Sequence, residues 1–253
     1  MIQTEGIFVG GSAISAPIIG EDFNWSGGDG TYQVLDDGGG NWRIKFLSSG
    51  TFTPLKNMVI DAFLVGAGGG KGSVRCGGGG AGYTTTVRSI TLAANTAYQI
   101  TIGAAGKNGS TGSSTSATDG TDGGTTSAFS TVAVGGKGST TGRGTGGTGS
   151  SGDGGSGGGG YNNSGVYATR SAATGGTDGG DGTTANTAGG KGQGTTTREF
   201  GEADGTLYAS GGGSNLTATV ANSGNGGKYS PTTSSIAPAD GIVVIRQHKE
   251  VAA

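Results

Sequence analysis

From Trp42 onward the chain is written in short apolar or alternating runs punctuated by turn residues; "NMVIDAFLV", "AYQITIG" and "GIVVIR" are the clearest. Runs rich in Val, Ile, Phe, Tyr and Thr between clusters of Gly, Asn, Asp and Ser predict β-strands. The pattern places them at Trp42–Phe46, Thr51–Thr53, Met58–Val65, Tyr83–Ser89, Ala97–Ile102 and Ala128–Val134. Further runs follow at Thr195–Phe200, Leu207–Ala209, Leu216–Val220 and Gly241–Arg246. Tyr32–Leu35 and Trp42–Phe46 alternate on either side of "DDGGGN", which reads as a hairpin turn. No window carries a helical period, and glycine every few residues would weaken any helix. The predicted fold is all-β: an antiparallel β-sandwich frame with greatly enlarged loops and essentially no α-helix.

Those loops change the picture. Between Gly135 and Glu199 the only Ile, Leu, Val or Phe is Val166. A structureless loop of that length is uncommon in a compact domain, so the segment is either disordered or ordered without an apolar core. The chain has 62 Gly and 4 Pro in 253 residues. Chains without Cβ can adopt an extended helix of three residues per turn and pack backbone against backbone. Hydrogen bonds between neighbouring helices would then satisfy the buried peptide groups. The loops are therefore expected to form packed polyglycine II helices. Collagen does not fit, because Gly142, Gly144, Gly146, Gly147 and Gly149 drift out of a strict third-position repeat and no Pro lies nearby.

Residues 1–40 read differently, with Phe8, Phe23, Trp25 and Tyr32 among scattered isoleucines and little regular period. An apolar segment without its own core docks on something: its own domain, or a partner through Phe8, Phe23, Trp25 and Tyr32. The expected division is an attachment or docking segment over 1–40 and a glycine-rich β domain over 41–253.

Charge excludes one class of partner. The formal net charge is −2, the sequence pI is about 5.3, and the 15 Lys and Arg are scattered. A nucleic-acid surface needs them clustered. The start "MIQTEGIFVGGS" has no basic residues leading into an apolar core, so synthesis in the cytoplasm without a signal peptide is expected.

Catalytic and cofactor motifs fail on inspection. In "LVGAGGGKGSVRCGGGGAGYT", Lys71 follows Gly70, but Val65 stands where a phosphate loop needs Gly, and Gly72 where it needs Ser or Thr. Lys71 is expected to be a solvent-facing charge at a turn. Gly77, Gly79 and Gly82 spell G-x-G-x-x-G but lead into "YTTTVRS", a strand and not a helix. Cys76, the one cysteine, reads as a small filler. His248, the one histidine, lies in "QHKEVAA" and reads as a solvated end; any Ser-His-Asp arrangement would depend on it. Asp119 with Asp122 and Asp178 with Asp181 sit in turn-like "TDGTDGG" and "TDGGDG". No enzyme, metal or cofactor is expected.

Several blocks, in order, resemble the glycine-rich domain of bacteriophage and prophage tail proteins over about residues 48 to 247. They are "SSGTFTPLKNMVIDAFLVGAGGGKG", "GGGGAGYTTT", "AYQITIGAAG", "GGKGQGTTTREFGEADGTLYASGGGS" and "DGIVVIRQ". A more distant similarity is to the adhesin at the tip of the long tail fibres of T-even-type phages. That resemblance implies a sandwich of packed polyglycine II helices, with loops at one end contacting the bacterial receptor and an N-terminal part attached to the fibre. The sequence departs from the adhesin in its longer β-frame. The implied role is a virion tail-fibre or tail-tip adhesin, bound to a fibre or baseplate protein and to a bacterial surface protein or glycan, as a monomer or a homotrimer. Tyr and Asn in Gly- and Ser-rich loops suit such recognition, which singles out Asn108, Tyr161, Asn162, Asn163, Tyr167, Arg170, Asn215 and Tyr229. The other reading is a non-catalytic structural or decoration protein whose glycine faces pack between subunits.

Overall fold

The computed structural model describes residues 22–38, 40–72, 77–110, 118–140, 155–158, 196–213, 220–228 and 236–248. Among these the fold is all-β, with two five-stranded sheets whose pairings are all antiparallel. The first sheet runs β1 (Phe23–Trp25), β4 (Gly50–Pro54), β7 (Tyr98–Thr101), β8 (Thr126–Ala128) and β9 (Thr131–Ala133). The second runs β2 (Tyr32–Gly38), β3 (Asn41–Phe46), β10 (Ile242–Gln247), β5 (Met58–Val65) and β6 (Thr84–Leu92). Between the sheets lies a core of Phe23, Phe46, Phe52, Ile44, Ile60, Leu64, Leu92, Ile100, Val243 and Ile245, all essentially inaccessible. Each such side chain contributes roughly 1.5–3 kcal/mol by leaving water.

The second sheet is buried on both faces near its centre, which is why "VIDAFLV" and "IVVI" read as continuous apolar runs. Ile60, Ala62 and Leu64 of β5 face the sandwich core. Phe63 and Val65 face the other way, with Val244 and Ile242 of β10, and are covered by Phe200, Tyr208 and Ala209.

Of the two readings for the N-terminal aromatics, Phe23, Trp25 and Tyr32 follow the first and pack on their own domain, not on a partner. Phe23 is fully buried, with its ring centroid 5.3 Å from Phe52. Trp25 lies 4.7 Å from Phe46 and donates from Nε1 to Thr31 Oγ1 at 2.9 Å. Tyr32 meets Phe23 edge-on. The boundary expected at residue 40 falls inside the β2–β3 hairpin, so the domain includes at least residues 23–38. Phe8 lies outside the described residues.

Three predicted strands are corrected. The run Ala128–Val134 is a hairpin turning at Phe129 and Ser130, whose φ values of 50° and 60° supply the doubly left-handed turn that fits strand twist. Thr195–Phe200 and Leu207–Ala209 share only one bridge, Arg198 to Leu207, around a 3-10 turn, η1 (Glu199–Gly201). Phe200 there has φ 57°, which stops extension. Most of Leu216–Val220 lies outside the described residues, and Val220 itself is in no strand.

Beyond β5 the backbone enters a lattice. Residues 66–72 are wholly enclosed. Their N–H groups turn through three directions: Gly66 and Gly69 donate to Tyr83 and Gly80, Ala67 and Gly70 to Gly124 and Thr121, and Gly68 to Ala239. Their carbonyls do likewise. Ala67 and Gly70 accept from Gly136 and Ser139, Gly68 and Lys71 from Gly106 and Gly109, and Gly69 from Gly227. All ten bonds are 2.8–3.1 Å. One three-residue helix is thus ringed by six chain segments, the hexagonal packing of polyglycine II. Closeness, and not a left-handed backbone, demands glycine here: a Cβ on Gly68 would collide with the carbonyl of Asn225.

Candidate functional site

Two places concentrate chemistry. The first is the lattice end remote from the sheets. There Lys71, Gly72, Gly77, Asn108, Ser139 and Ile236 meet. Ser139 ties this end together: its Oγ accepts from the N–H of Gly72 and donates to the carbonyl of Gly77 at 2.7 Å. Asn108 uses both halves of its amide, accepting from the Lys71 N–H at 2.9 Å and donating to the Ile236 carbonyl at 3.0 Å. It therefore joins three lattice segments. Lys71 is not the solvent-facing charge expected: it is 2% exposed and donates from Nζ to the Gly72 carbonyl at 2.6 Å. Lys228 is also buried, and loss of water lowers its pKa. Tyr161, Asn162, Asn163, Tyr167, Arg170, Asn215 and Tyr229 lie outside the described residues, as do Cys76, Asp178 and Asp181.

The glycines of the G-x-G-x-x-G match do not form a phosphate cradle. Gly79, Gly80, Ala81 and Gly82 all give their N–H groups to lattice carbonyls, those of Gly227, Lys137, Ser156 and Gly224. Asp122 has a turn-fixing role: it pairs with Lys137 at 2.7 Å and accepts from the Gly138 N–H at 2.9 Å. Burial raises its pKa, but those two bonds outweigh burial and the net shift is downward.

The second place is the outer face of the second sheet, at the end away from the lattice. Cross-strand register sets Arg43, Arg246 and Asp61 side by side on β3, β10 and β5. Asp61 is fully buried and collects four donors: His248 Nδ1 at 2.6 Å, the Ser89 N–H at 3.1 Å, and Arg246 and Arg88 at 3.3 Å each. Burial works to raise its pKa, but the bonds from His248, Ser89 and Arg246 prevail and hold it below the usual carboxylate range. The β6 strand bulges where Arg88 and Ser89 stand opposite Asp61.

The turn from 196 to 208 closes over this face. Glu199, 1% exposed, receives Arg43 at 2.5 Å, Lys45 at 3.2 Å and the Tyr208 hydroxyl at 3.0 Å. Arg43 also binds Asp37 through two nitrogens at 2.7 Å. Its pKa rises through the Asp37 bond and then Glu199, against burial. Tyr208 is pushed up by burial and then by Glu199. Arg246 stacks 4.2 Å above the Phe200 ring and pairs with Glu202 at 2.6 Å. Asp37, Arg43, Glu199, Glu202, Asp204 and Arg246 border a polar groove of about 270 Å³. Most of these charges are committed to one another, so the face first acts as a clamp holding the 196–208 turn.

Sequence reasoning missed this face. The signals were a lone Asp inside "VIDAFLV" and a lone Arg ending "IVVIR": a charge in an otherwise buried strand needs a partner. His248 was expected to be a solvated end; its ring instead bridges Asp61 and Ser89, with Nε2 3.1 Å from Ser89 Oγ.

No curated protein matches the chain. A family model described as "Glycine-rich domain" matches residues 47–247, from the turn before β4 to the last residue of β10. That span takes in the lattice and all of β4 to β10, and leaves out β1, β2 and β3. The chain belongs to the glycine-rich domain family.

Proposed function

We propose that the chain is a recognition module of a bacteriophage or prophage virion, carried at a tail tip or tail fibre and contacting a bacterial surface protein or glycan. The observation that carries this reading is the hexagonal enclosure of residues 66–72. A hexagonally bonded backbone is rigid without bulky side chains, so the segments it carries can vary while the scaffold stays fixed. Tyr161, Asn162, Asn163, Tyr167, Arg170, Asn215 and Tyr229 belong to segments that the scaffold would present. The resemblance of the "GQGTTTREFGE" and "DGIVVIRQ" blocks to phage tail proteins supports the same setting.

The test is competition for host cells. Purified protein added before phage should bind the cells and reduce phage adsorption. Absence of cell binding together with undiminished adsorption would overturn the reading.

A further inference from the structure

We propose that Asp61, His248 and Ser89 form a hydrolytic relay that cleaves small acyl esters presented on the open edge of the second sheet. The three side chains make one unbroken line: Asp61 Oδ1 to His248 Nδ1 at 2.6 Å, then His248 Nε2 to Ser89 Oγ at 3.1 Å. Each end is anchored as nucleophilic chemistry requires. The carboxylate is fully buried and fixed by the Ser89 N–H and two arginines, so it orients the imidazole and stays ionised. The hydroxyl lies at an exposed bulge, on a residue with φ 58°, a left-handed conformation that Ser adopts rarely. Backbone strain of this kind gathers at functional positions. His248 comes from β10's end, Asp61 from β5 and Ser89 from β6, so the sheet itself sets the geometry.

The reaction balances within these groups and water. Ser89 Oγ attacks the acyl carbonyl carbon while its proton passes to His248 Nε2. The bond to the alcohol oxygen then breaks, and the departing alcohol takes that proton. Water, giving a proton to Nε2, attacks the acyl-Ser89 carbonyl; the Oγ–carbon bond breaks and Oγ recovers the proton. Arg88, on the same bulge with a side chain 45% exposed, gives Nη1 to Asp61 at 3.3 Å and Nη2 to the Phe200 carbonyl at 2.6 Å, so its cationic charge stands beside Ser89 while those bonds hold it. The open setting selects acyl groups that project from a larger molecule, such as O-acetyl substituents.

The experiment uses the full chain with a fluorophosphonate probe and with p-nitrophenyl acetate. The wild type should acquire one phosphonyl adduct mapped to Ser89 and hydrolyse the ester. Ser89→Gly, which removes the hydroxyl while tolerating the backbone, should lose the adduct. His248→Gln, which can keep the hydrogen bond to Asp61 but is no base, should slow labelling by roughly 10²-fold or more. Thermal unfolding of each variant confirms that it is folded. Failure of the folded wild type to gain a Ser89 adduct, or ester hydrolysis undiminished in Ser89→Gly, overturns the proposal.

Discussion

Arg246 and Asp61 face each other across the β10–β5 ladder, and both are buried: Asp61 fully, Arg246 to 4% exposure. Their 3.3 Å contact is one of four that converge on the carboxylate. Removing one member of a buried charge group strands the others, at a cost of about 3–5 kcal/mol. Asp61→Ala should therefore lower stability by about that amount in urea unfolding followed by tryptophan fluorescence.

The same carboxylate sets a pH dependence. Its pKa is depressed on folding, so its contribution is complete above the unfolded value of about 3.9 and is lost as pH falls through the folded value. Asp61→Asn should flatten the acid limb of a plot of unfolding midpoint against pH. An acid limb identical to the wild type's would contradict the assignment.

Tyr208 makes the opposite prediction at alkaline pH. Burial, then Glu199, raises its pKa, so the neutral phenol's contribution is complete below the unfolded value of about 10 and fades as pH rises above it. Of the seven tyrosines, Tyr208 should ionise only with alkaline unfolding, read from tyrosinate absorbance. Tyr208→Phe should leave the remaining titration reversible and free of that late step.

The lattice is tested by a methyl group. At Gly68 a Cβ meets the carbonyl of Asn225, and at Gly79 that of Gly69, both backbone atoms that cannot rotate away. Gly68→Ala and Gly79→Ala should each cost about 3 kcal/mol or more, beyond ordinary overpacking because the obstacle is main chain. Lys107→Ala, on the exposed face of the helix that runs through Gly106 and Gly109, should change stability by no more than about 0.5 kcal/mol.

How far these features were legible follows from their physics. Strands announced themselves wherever one or both faces were apolar, as at Met58–Val65 and Gly241–Arg246. The hairpin at Phe129 and Ser130 did not, because its left-handed turn uses no glycine. The lattice had a written period that went unread: Gly103, Gly106 and Gly109 are buried, while Ala104, Lys107 and Ser110 are exposed. An outer helix needs a small residue only at the third that faces inward. The central helix, touched on every side, needs it nearly everywhere, and so reads as low complexity. The charged face was legible only as a lone Asp and a lone Arg in buried strands: strand register joins Asp61, Ser89 and Arg246, and the 196–208 turn brings in Glu199, all far apart in sequence.

The placement of the N-terminal aromatics makes a final prediction. Phe23 has no exposed surface and touches both Tyr32 and Phe52, so it links β1, β2 and β4 across the sandwich. Its truncation opens a cavity between two sheets that cannot close without breaking the β1–β4 ladder. Phe23→Ala should cost about 3–5 kcal/mol. A chain starting at residue 41 loses Phe23, Trp25, Tyr32 and Val34 together and exposes the underside of Phe46 and Phe52. That chain should aggregate or unfold, whereas one starting at residue 22 retains every strand described. If the chain starting at 41 unfolds cooperatively with wild-type stability, residues 23–38 contribute nothing to the domain and their aromatics are available to a partner after all.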